Sequence, residues 1–228
     1  MPPAEPRTAL VAGASRGLGL GLVAELRSRN WSVVGTARDD EGARRLEALG
    51  ARAERLDIAD PASLAALARR LADETFDLVF VNAGIKGPAH QDAARATPTE
   101  IAELFQVNAV APIRLARAVL VQVRDGGTIA FMSSDLGSVS GNSDGYIELY
   151  RASKAALNSL IRSFTAGLGG QRATVLAVHP GWVRTDMGGA EAPLSIAESC
   201  RGIVDVLERR AGTLRHGFVD YRAREIAW

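Results

Sequence analysis

Seven short apolar runs, many of them β-branched, alternate along the chain with segments whose apolar residues recur about every 3.6 positions. The runs are TALVAG, WSVVGTA, ARAERLDI, FDLVFVNAG, GTIAFMSS, ATVLAVHPG and HGFVDY. Helical spacing is clear between them, for example in LGLGLVAELRSR and PASLAALARRLADE. Strands that are apolar on both faces and separated by helices indicate a parallel sheet covered on two sides. We therefore predict an α/β fold in which a single doubly wound domain spans residues 1–228.

Composition limits the partners that the chain can take. The formal net charge is +1 and the charges are interspersed, so no basic surface suggests nucleic-acid binding. The apolar runs are too short for a membrane span, and the N-terminus lacks the apolar core of a secretion signal. Cys200 is the only cysteine, which excludes an intrachain disulfide and favours a reducing compartment. We expect a cytoplasmic protein with neither nucleic acid nor membrane as partner.

The three histidines show no metal-ligand spacing with Cys200 or with clustered acids. We therefore predict no metal site among His90, His179 and His216. His179 lies at a strand end beside Pro180, where we expect it to be a hydrogen-bonded polar residue.

The first strand runs directly into GASRGLG, residues 13–19. A glycine-rich turn of this kind points backbone N–H groups and the positive end of a helix dipole at a phosphate. Gly13 would permit the tight turn, Gly17 the close approach of a pyrophosphate, and Gly19 the close packing of helix on strand. Glycines between strand and helix are also ordinary turn residues. The placement at the first strand–helix turn favours a dinucleotide site, with Ser15, Arg16 and Leu18 completing the turn.

The second strand indicates which nucleotide binds. It ends VVGTARDD, and Ala37 occupies the position where NAD-binding domains carry an acidic residue for the ribose 2′-hydroxyl. Arg38 follows it and Arg16 lies in the glycine turn, and arginine binds phosphate through two parallel hydrogen bonds. We therefore predict NADP(H), with NAD(H) less favoured, although Asp39 and Asp40 weaken the signal.

The stretch LYRASKAALN, residues 149–158, contains Lys154, one of only two lysines in the chain. Tyr150 and Lys154 are four positions apart at the start of a predicted helix, so both side chains lie on one face. A nearby ammonium favours a phenolate, and we expect Lys154 to lower the pKa of Tyr150 from about 10. Arginine could not replace this compact charge, because its guanidinium is a planar fork. The pair is predicted to be an acid–base unit.

A serine at the end of GTIAFMSS is the third candidate catalytic group. Ligands of doubly wound sheets bind at the carboxyl ends of the strands, where a serine could donate a hydrogen bond to a carbonyl oxygen. Ser134 is favoured, and Ser133 is the alternative.

Seven motifs, taken together and in order, resemble the short-chain dehydrogenases and reductases. They are GASRGLG, LDI at 56–58, NAG at 82–84, Asn108, SSDLG, YRASK and HPGWVRTDM. The run from SSDLG to HPGWVRTDMGG is most similar to the C-factor-like and carbonyl-reductase-like branch. The resemblance implies a Rossmann fold with a mostly parallel seven-stranded sheet, helices on both faces, and NADP(H)-dependent hydride transfer between a nicotinamide and a carbonyl or secondary alcohol.

The resemblance also assigns roles to matching residues. Tyr150 would exchange a proton with the substrate oxygen, Ser134 would polarise that oxygen, and Lys154 would hold the nicotinamide ribose. Asn108 would anchor a water that links the lysine to solvent; without the family it would be interpreted as a polar kink within a helix. The predicted cofactor contacts, including the glycine turn and Arg38, are Gly13, Ser15, Arg16, Gly17, Leu18, Gly19, Arg38, Asp57, Ile58, Asn82, Ala83, Gly84, Tyr150, Lys154, Pro180, Gly181, Val183 and Thr185.

Two segments depart from the family pattern. Ser134 and Tyr150 are a few residues further apart than in most members, so GNSDGYIE should bulge near the site. The segment DMGGAEAPLS after Thr185 is short where many relatives carry a helical lid, which suggests an open pocket. Trp182 and Tyr146 would either line that pocket or pack in the core.

Alternatives of other classes remain. A C-factor-like signalling protein would use the nucleotide site for binding only, but such a protein would not need Tyr150. A nucleotide-sugar epimerase would need a large C-terminal substrate domain, which we do not expect here. The apolar faces of ATPTEIAELFQVNAVAPIRLARAVLVQV and YRASKAALNSLIRSFTAGL predict a homodimer or homotetramer.

Overall fold

The sheet of the protein is seven-stranded and wholly parallel. A computed structural model of the chain describes residues 6–168 and 172–228, so the N-terminal MPPAE segment lies outside the described residues. The strand order is β3-β2-β1-β4-β5-β6-β7. The strands are β1 Thr8–Ala12, β2 Ser32–Ala37, β3 Arg52–Arg55, β4 Phe76–Val81, β5 Val123–Met132, β6 Thr174–His179 and β7 His216–Asp220. Each corresponds to one predicted apolar run, so the predicted doubly wound sheet is confirmed.

Helices connect the strands and cover both faces of the sheet. They are α1 Gly17–Ser28, α2 Asp40–Ala48, α3 Pro61–Arg70, α4 Pro98–Phe105, α5 Ala111–Ala118, α6 Glu148–Ala166 and α7 Ile196–Arg210. One π-helical turn, Gln106–Val110, joins α4 to α5. None of the helices in the described part of the chain has the length and apolarity needed to cross a membrane.

Alternate residues of each strand enter two separate cores. In β1, Leu10 and Ala12 belong to the core beneath α3, α5 and α6, whereas Ala9 and Val11 belong to the core beneath α1, α2 and α7. All four residues are fully buried. This two-sided burial explains why the inner strands are continuous apolar runs, whereas the edge strand β3 is polar and partly exposed.

The reversal of strand order between β1 and β4 determines where a ligand can enter. From β1 the chain winds outward to β2 and β3, and it then crosses back to β4 on the other side. A crevice opens at such a switch point, outside the carboxyl ends of the strands. The segments that follow β1, β4, β5 and β6 all lie along this edge.

Helix capping differs among the helices. Asp39, Asp60, Thr97 and Ser195 each accept a hydrogen bond from the first turn of α2, α3, α4 and α7. The N-cap residues of α1 and α6, Arg16 and Ile147, make no such side-chain bond. Because the first N–H groups of a helix have no partner within it, both helix starts depend on groups from elsewhere.

Candidate active site

Glycines hold the end of β1, the end of β4 and the start of α1 in close contact. Gly13 has a φ of +80°, and a Cβ there would lie 2.7 Å from Ala83 Cα. A Cβ on Gly19 would lie 2.1 Å from the Gly13 carbonyl oxygen, to which Asn82 Nδ2 donates at 2.7 Å. The tight turn at Gly13 and the close packing at Gly19 therefore agree with the geometry predicted from the sequence.

The first turn of α1 fits an anionic group. Gly17 has a φ of +55°, and a Cβ there would meet no atom within 4 Å, so the turn faces open space. Because Arg16 does not cap the helix, the N–H groups of Gly17, Leu18 and Gly19 remain available at the positive end of the helix dipole. These are the properties that a pyrophosphate requires.

The acidic residues after β2 are engaged in local structure. Ala37 ends the strand with its side chain buried, and Arg38 is exposed. Asp39 Oδ1 accepts from the Gly42 N–H at 2.7 Å and caps α2, and Asp40 forms an ion pair with Arg55. Neither carboxylate takes the place of the ribose-binding acid that Ala37 replaces.

Arg16 approaches the same corner but is paired elsewhere. A Cβ on Gly42 would lie 2.6 Å from Ser15 Cβ and 2.9 Å from Ala37 Cβ, so the ends of the glycine turn and of β2 meet there. The Arg16 guanidinium forms an exposed ion pair with Asp186. Arg16 and Arg38, the two arginines predicted to bind a phosphate, thus have neighbouring backbone positions. The side chain of Arg16 is directed toward the segment that follows β6.

The residues after β3 lie beside Ala37. The Leu56 N–H donates to the Ala37 carbonyl at 3.1 Å. Asp57 is exposed, and its Oδ1 accepts from the Ala59 N–H at 3.0 Å. Ile58 is 8% exposed and belongs to the core beneath α3, so mainly its backbone faces the edge of the crevice.

Asn108 lies within the π-helical turn between α4 and α5. Its side chain is fully buried. The amide oxygen accepts from the Ile85 N–H at 2.8 Å, and the amide nitrogen donates to the Ile85 carbonyl at 2.8 Å and to Ser153 Oγ at 3.0 Å. Asn108 therefore ties the segment after β4 to α6.

Lys154 extends from α6 toward the ends of β4 and β5. Its side chain is 3% exposed, and Nζ donates to the Met132 carbonyl at 2.9 Å. A Cβ on Gly84 would lie 3.5 Å from Nζ and 3.3 Å from Asn108 Oδ1, so Gly84 packs closely against both side chains. Burial lowers the pKa of Lys154 to about 8.

Tyr150 lies one helical turn before this lysine. Lys154 Nζ is 5.7 Å from the centroid of the Tyr150 ring. The prediction that Lys154 lowers the pKa of Tyr150 is wrong for this structure. Burial raises the pKa of the phenol, and the nearby Asp135 carboxylate raises that pKa further. Lys154 does not offset these two effects.

The two serines after β5 have different environments. Ser133 Oγ donates to Asn158 Oδ1 at 2.6 Å inside the protein. Ser134 Oγ accepts from the Leu136 N–H and donates to Asp135 Oδ1, both at 3.2 Å. Ser133 is committed to the interior, whereas the longer bonds of Ser134 can be exchanged for a ligand, which favours Ser134.

His179 does not match its predicted environment. It ends β6, and its Nδ1 is buried with no hydrogen-bond partner in the described chain. The Asp135 Oδ1 atom lies 3.4 Å away. Burial lowers the pKa of His179. The expected hydrogen bond is therefore not formed at Nδ1 in the described chain; this ring nitrogen instead lies within ion-pair distance of Asp135.

The segment from Pro180 to Ser195 contains no helix, as the shortened sequence predicts. Gly181 has a φ of +79°, and Val183, 4% exposed, bridges to Leu194. Thr185 Oγ1 accepts from the Gly188 N–H at 3.0 Å and shapes the following turn.

Two large aromatic side chains border this open region. Trp182 is 56% exposed and Tyr146 is 68% exposed, so neither packs in a core. Tyr146 belongs to GNSDGYIE, residues 141–148, which the wide spacing between Ser134 and Tyr150 predicts to bulge; all of these residues are exposed except Ile147, which is half-buried. Across residues 6–168 and 172–228, no group of three or more His, Cys, Asp or Glu side chains is placed to hold a metal ion.

Two residues of the site were not found from the sequence. Asp135 lies within the SSDLG motif, and its position next to a candidate serine is the sequence signal that points to it. Gln91 Oε1 accepts from the Tyr150 N–H at 2.9 Å, across 59 positions of sequence. Gln91 belongs to no motif, so only the folded structure identifies it.

The chain resembles known proteins both in sequence and in structure. The family model described as enoyl-(acyl carrier protein) reductase matches residues 13–201. The chain is similar to the C-signal protein of Myxococcus xanthus, with 35% identity over 167 residues that cover 72% of this chain and 99% of that protein.

Two solved structures match over nearly the full length. A putative short-chain dehydrogenase/reductase from Burkholderia multivorans with bound NADP has a TM-score of 0.94 and 42% identity, and covers 98% of this chain and 100% of that one. A carbonyl reductase from Pseudomonas aeruginosa PAO1 in complex with NADP has a TM-score of 0.91 and 41% identity, and also covers 98% of this chain and 100% of that one.

Proposed function

The chain belongs to the short-chain dehydrogenase/reductase family of oxidoreductases, and from this premise we propose that it reduces a carbonyl compound with NADPH, reversibly, with Tyr150 as the general acid and base. The observation that carries the proposal is the position of Tyr150 and Lys154 at the open carboxyl edge of the sheet, next to a helix start that suits a phosphate. The substrate is a small molecule that presents a carbonyl or a secondary alcohol.

The residues present fit NADP(H). The uncapped first turn of α1 and the open space at Gly17 suit the pyrophosphate. Arg38 and Arg16 suit a 2′-phosphate, and no carboxylate stands at Ala37 to repel it. The Burkholderia and Pseudomonas proteins were both solved with NADP. When bound, NADPH supplies the hydride for the substrate carbon.

Tyr150 supplies the proton. Because burial and Asp135 raise the pKa of the phenol, the side chain keeps its proton at neutral pH. A neutral phenol can donate to the oxygen of a carbonyl as negative charge develops there. Tyr150 is therefore suited as an acid in the reducing direction, and alcohol oxidation requires the reverse transfer.

Ser134 and Lys154 support this transfer in the proposal. Ser134 Oγ, now hydrogen-bonded to Asp135 and Leu136, turns its hydroxyl proton to the substrate oxygen. Lys154 offers three rotatable donors, one of which contacts Met132 O, and the others can hold ribose hydroxyls. Asn108 fixes the segment after β4 against α6 and so keeps the lysine aligned.

The proposed cofactor contacts follow the carboxyl edge of the sheet. Asp57 and Ile58 are proposed to contact the adenine, and Asn82, Ala83 and Gly84 to line the cleft. We assign the nicotinamide end to the segment after β6, at Pro180, Gly181, Val183 and Thr185. The positive φ of Gly181 and the turn at Thr185 bring backbone groups to this edge.

We do not favour the alternative of a signalling protein that only binds the nucleotide. The C-signal similarity covers 72% of the chain, whereas the carbonyl reductase structure covers 98% at higher identity. His179 beside Asp135, and Tyr150 with its raised pKa, also place several titratable groups at the same edge of the sheet. A cytoplasmic homodimer or homotetramer is our proposal for the working form.

A panel of aldehydes, ketones and quinones tests this function. NADPH or NADH oxidation is followed by absorbance, and alcohol product is quantified by chromatography. We expect NADPH consumption in equal amount to product for at least one carbonyl class. Tight NADPH binding with no product from any class would support the signalling alternative instead.

A further inference from the structure

The side chain of Gln91 joins the segment after β4 to the first turn of α6. Gln91 Oε1 accepts from the Tyr150 N–H at 2.9 Å. Its Nε2 donates to the Lys86 carbonyl at 2.8 Å and to the Pro88 carbonyl at 2.7 Å. The residue is 9% exposed. All three bonds are within normal distance, so the buried amide is well satisfied.

The orientation of this amide is fixed by its partners. A backbone N–H can only donate and a backbone carbonyl can only accept. Exchanging the oxygen and nitrogen of Gln91 would therefore place the one amide oxygen against two carbonyl oxygens and the amide nitrogen against the N–H of Tyr150. The oxygen must face Tyr150.

The bond to Tyr150 takes the place of a helix cap. Tyr150 is the third residue of α6, and its N–H is one of the first-turn donors that have no partner within the helix. Ile147 precedes the helix and offers no side-chain acceptor. The α6 start is thus capped by a side chain from a different segment, at the residue proposed to transfer the proton.

The carbonyl of Tyr150 is held as well. Ser153 Oγ donates to it at 2.8 Å and accepts from Asn108 Nδ2 at 3.0 Å. Both polar groups of the Tyr150 backbone are therefore bound, directly or through one hydroxyl, by residues of the chain between β4 and α5.

Backbone conformation at this junction is unusual on both sides. Gln91 and Ile147 each have a φ of +55°, a region that side chains other than glycine rarely adopt and that is exceptional for a β-branched residue. Such conformations persist where surrounding contacts determine them, and they occur frequently at functional sites.

A cavity of about 340 Å³ also lies between the two segments, lined in part by Gln91, Tyr146 and Ile147. The hydrogen bonds of Gln91 therefore join the two segments beside an open space.

From these contacts we infer that Gln91 is a positioning residue for catalysis: its amide oxygen fixes the first turn of α6 and so fixes where the Tyr150 phenol meets the substrate. The inference rests on the proposed function of Tyr150. Lys154 lies one turn deeper in α6 and is held by Met132, so loss of the Gln91 bond should affect proton transfer and leave nucleotide binding intact.

Three variants of the full-length chain test this inference. Gln91→Gly removes the amide and suits the positive φ. Gln91→Glu keeps an acceptor for the Tyr150 N–H and gives up both bonds to the loop. Gln122→Ala is the matched control, because Gln122 is a buried glutamine in the turn before β5, at the opposite edge of the sheet, and its Oε1 has no partner in the described chain.

For Gln91→Gly we expect kcat to fall by about 10- to 100-fold, the scale of a displacement of about 1 Å in an active site, with the KM and Kd for NADPH unchanged. Gln91→Glu should recover most of this loss, and Gln122→Ala should show none. Equal losses in Gln91→Gly and Gln91→Glu would overturn the inference, because the loop bonds and not the Tyr150 bond would then be responsible. Wild-type kcat in Gln91→Gly would also overturn it.

Amide hydrogen exchange separates this inference from the proposed function. The Tyr150 amide of the wild type should exchange slowly, although first-turn amides usually exchange freely, and it should exchange much faster in Gln91→Gly. This result needs no turnover, so it holds even if no carbonyl substrate is reduced. A rapidly exchanging Tyr150 amide in the wild type would refute the capping contact itself.

Discussion

Replacement of Lys154 by methionine should stabilise the fold while it reduces turnover. Methionine has a similar length and fills the same buried space without a charge. Burial lowers the pKa of Lys154 from 10.5 to about 8, so the folded protein disfavours the charged form that predominates at neutral pH. The free energy of unfolding therefore contains a penalty that the variant removes.

The magnitude follows from the pKa values. One pKa unit corresponds to about 1.4 kcal/mol, so the difference between 10.5 and about 8 amounts to roughly 3 kcal/mol at pH 7. The variant also loses the bond from Nζ to the Met132 carbonyl, which costs about 1 kcal/mol. We expect Lys154→Met to raise the free energy of unfolding by roughly 2 kcal/mol at pH 7.

The sign of the pH dependence makes the prediction specific. Between about pH 8 and pH 10.5 the unfolded chain binds more protons at Lys154 than the folded chain, so wild-type stability from this group rises with pH in that window. The gain in Lys154→Met should therefore shrink above pH 8 and become a small loss near pH 10.5. Urea unfolding of both proteins across this range measures it, and other titrating groups cancel in the difference. A variant that is less stable than wild type at pH 7, or equally affected at every pH, would refute the reasoning.

Three further predictions concern cofactor, pH and assembly. NADPH should bind more tightly than NADH, and Arg38→Asp should abolish the preference; equal wild-type affinities in fluorescence titration would contradict the choice of NADP. Asp135→Asn should lower the pKa of Tyr150, because the carboxylate raises it, so the alkaline loss of kcat/KM for reduction should move to lower pH; an unmoved limb would exclude this effect of Asp135. Sedimentation should show a dimer or tetramer built on α4 to α6, where Ile101 is 40% exposed; a monomer at micromolar concentration would count against that assembly.

The sheet was predictable because its signals are local. Strands buried on both faces appear as continuous apolar runs, and every run in the sequence became one strand of the sheet. The positive φ of Gly13 and the tight space at Gly19 follow from residue type and spacing within seven positions. The spacing of four residues likewise predicts that Tyr150 and Lys154 lie on the same face of a helix.

The electrostatics of the site were not predictable in the same way. The pKa of Tyr150 depends on how deeply the phenol is buried and on Asp135, which approaches from another segment of the chain. Sequence spacing shows that Lys154 is near but not that its ammonium points to Met132 O. Gln91 accepts a hydrogen bond from the Tyr150 N–H although the two residues are 59 positions apart in the sequence, and Gln91 itself has a positive φ. No local sequence pattern indicates that contact.

Proton transfer by Tyr150 is the central claim, and Tyr150→Phe tests it most directly. The variant removes one oxygen and keeps the ring that packs at the start of α6. General acid–base catalysis contributes about 10²- to 10⁴-fold, so kcat for NADPH-dependent carbonyl reduction should fall by roughly that factor while the Kd for NADPH stays the same. Single-turnover reduction of a good substrate, with NADPH binding measured in parallel, gives both quantities. If Tyr150→Phe binds NADPH normally and reduces the substrate at close to the wild-type rate, Tyr150 is not the proton donor.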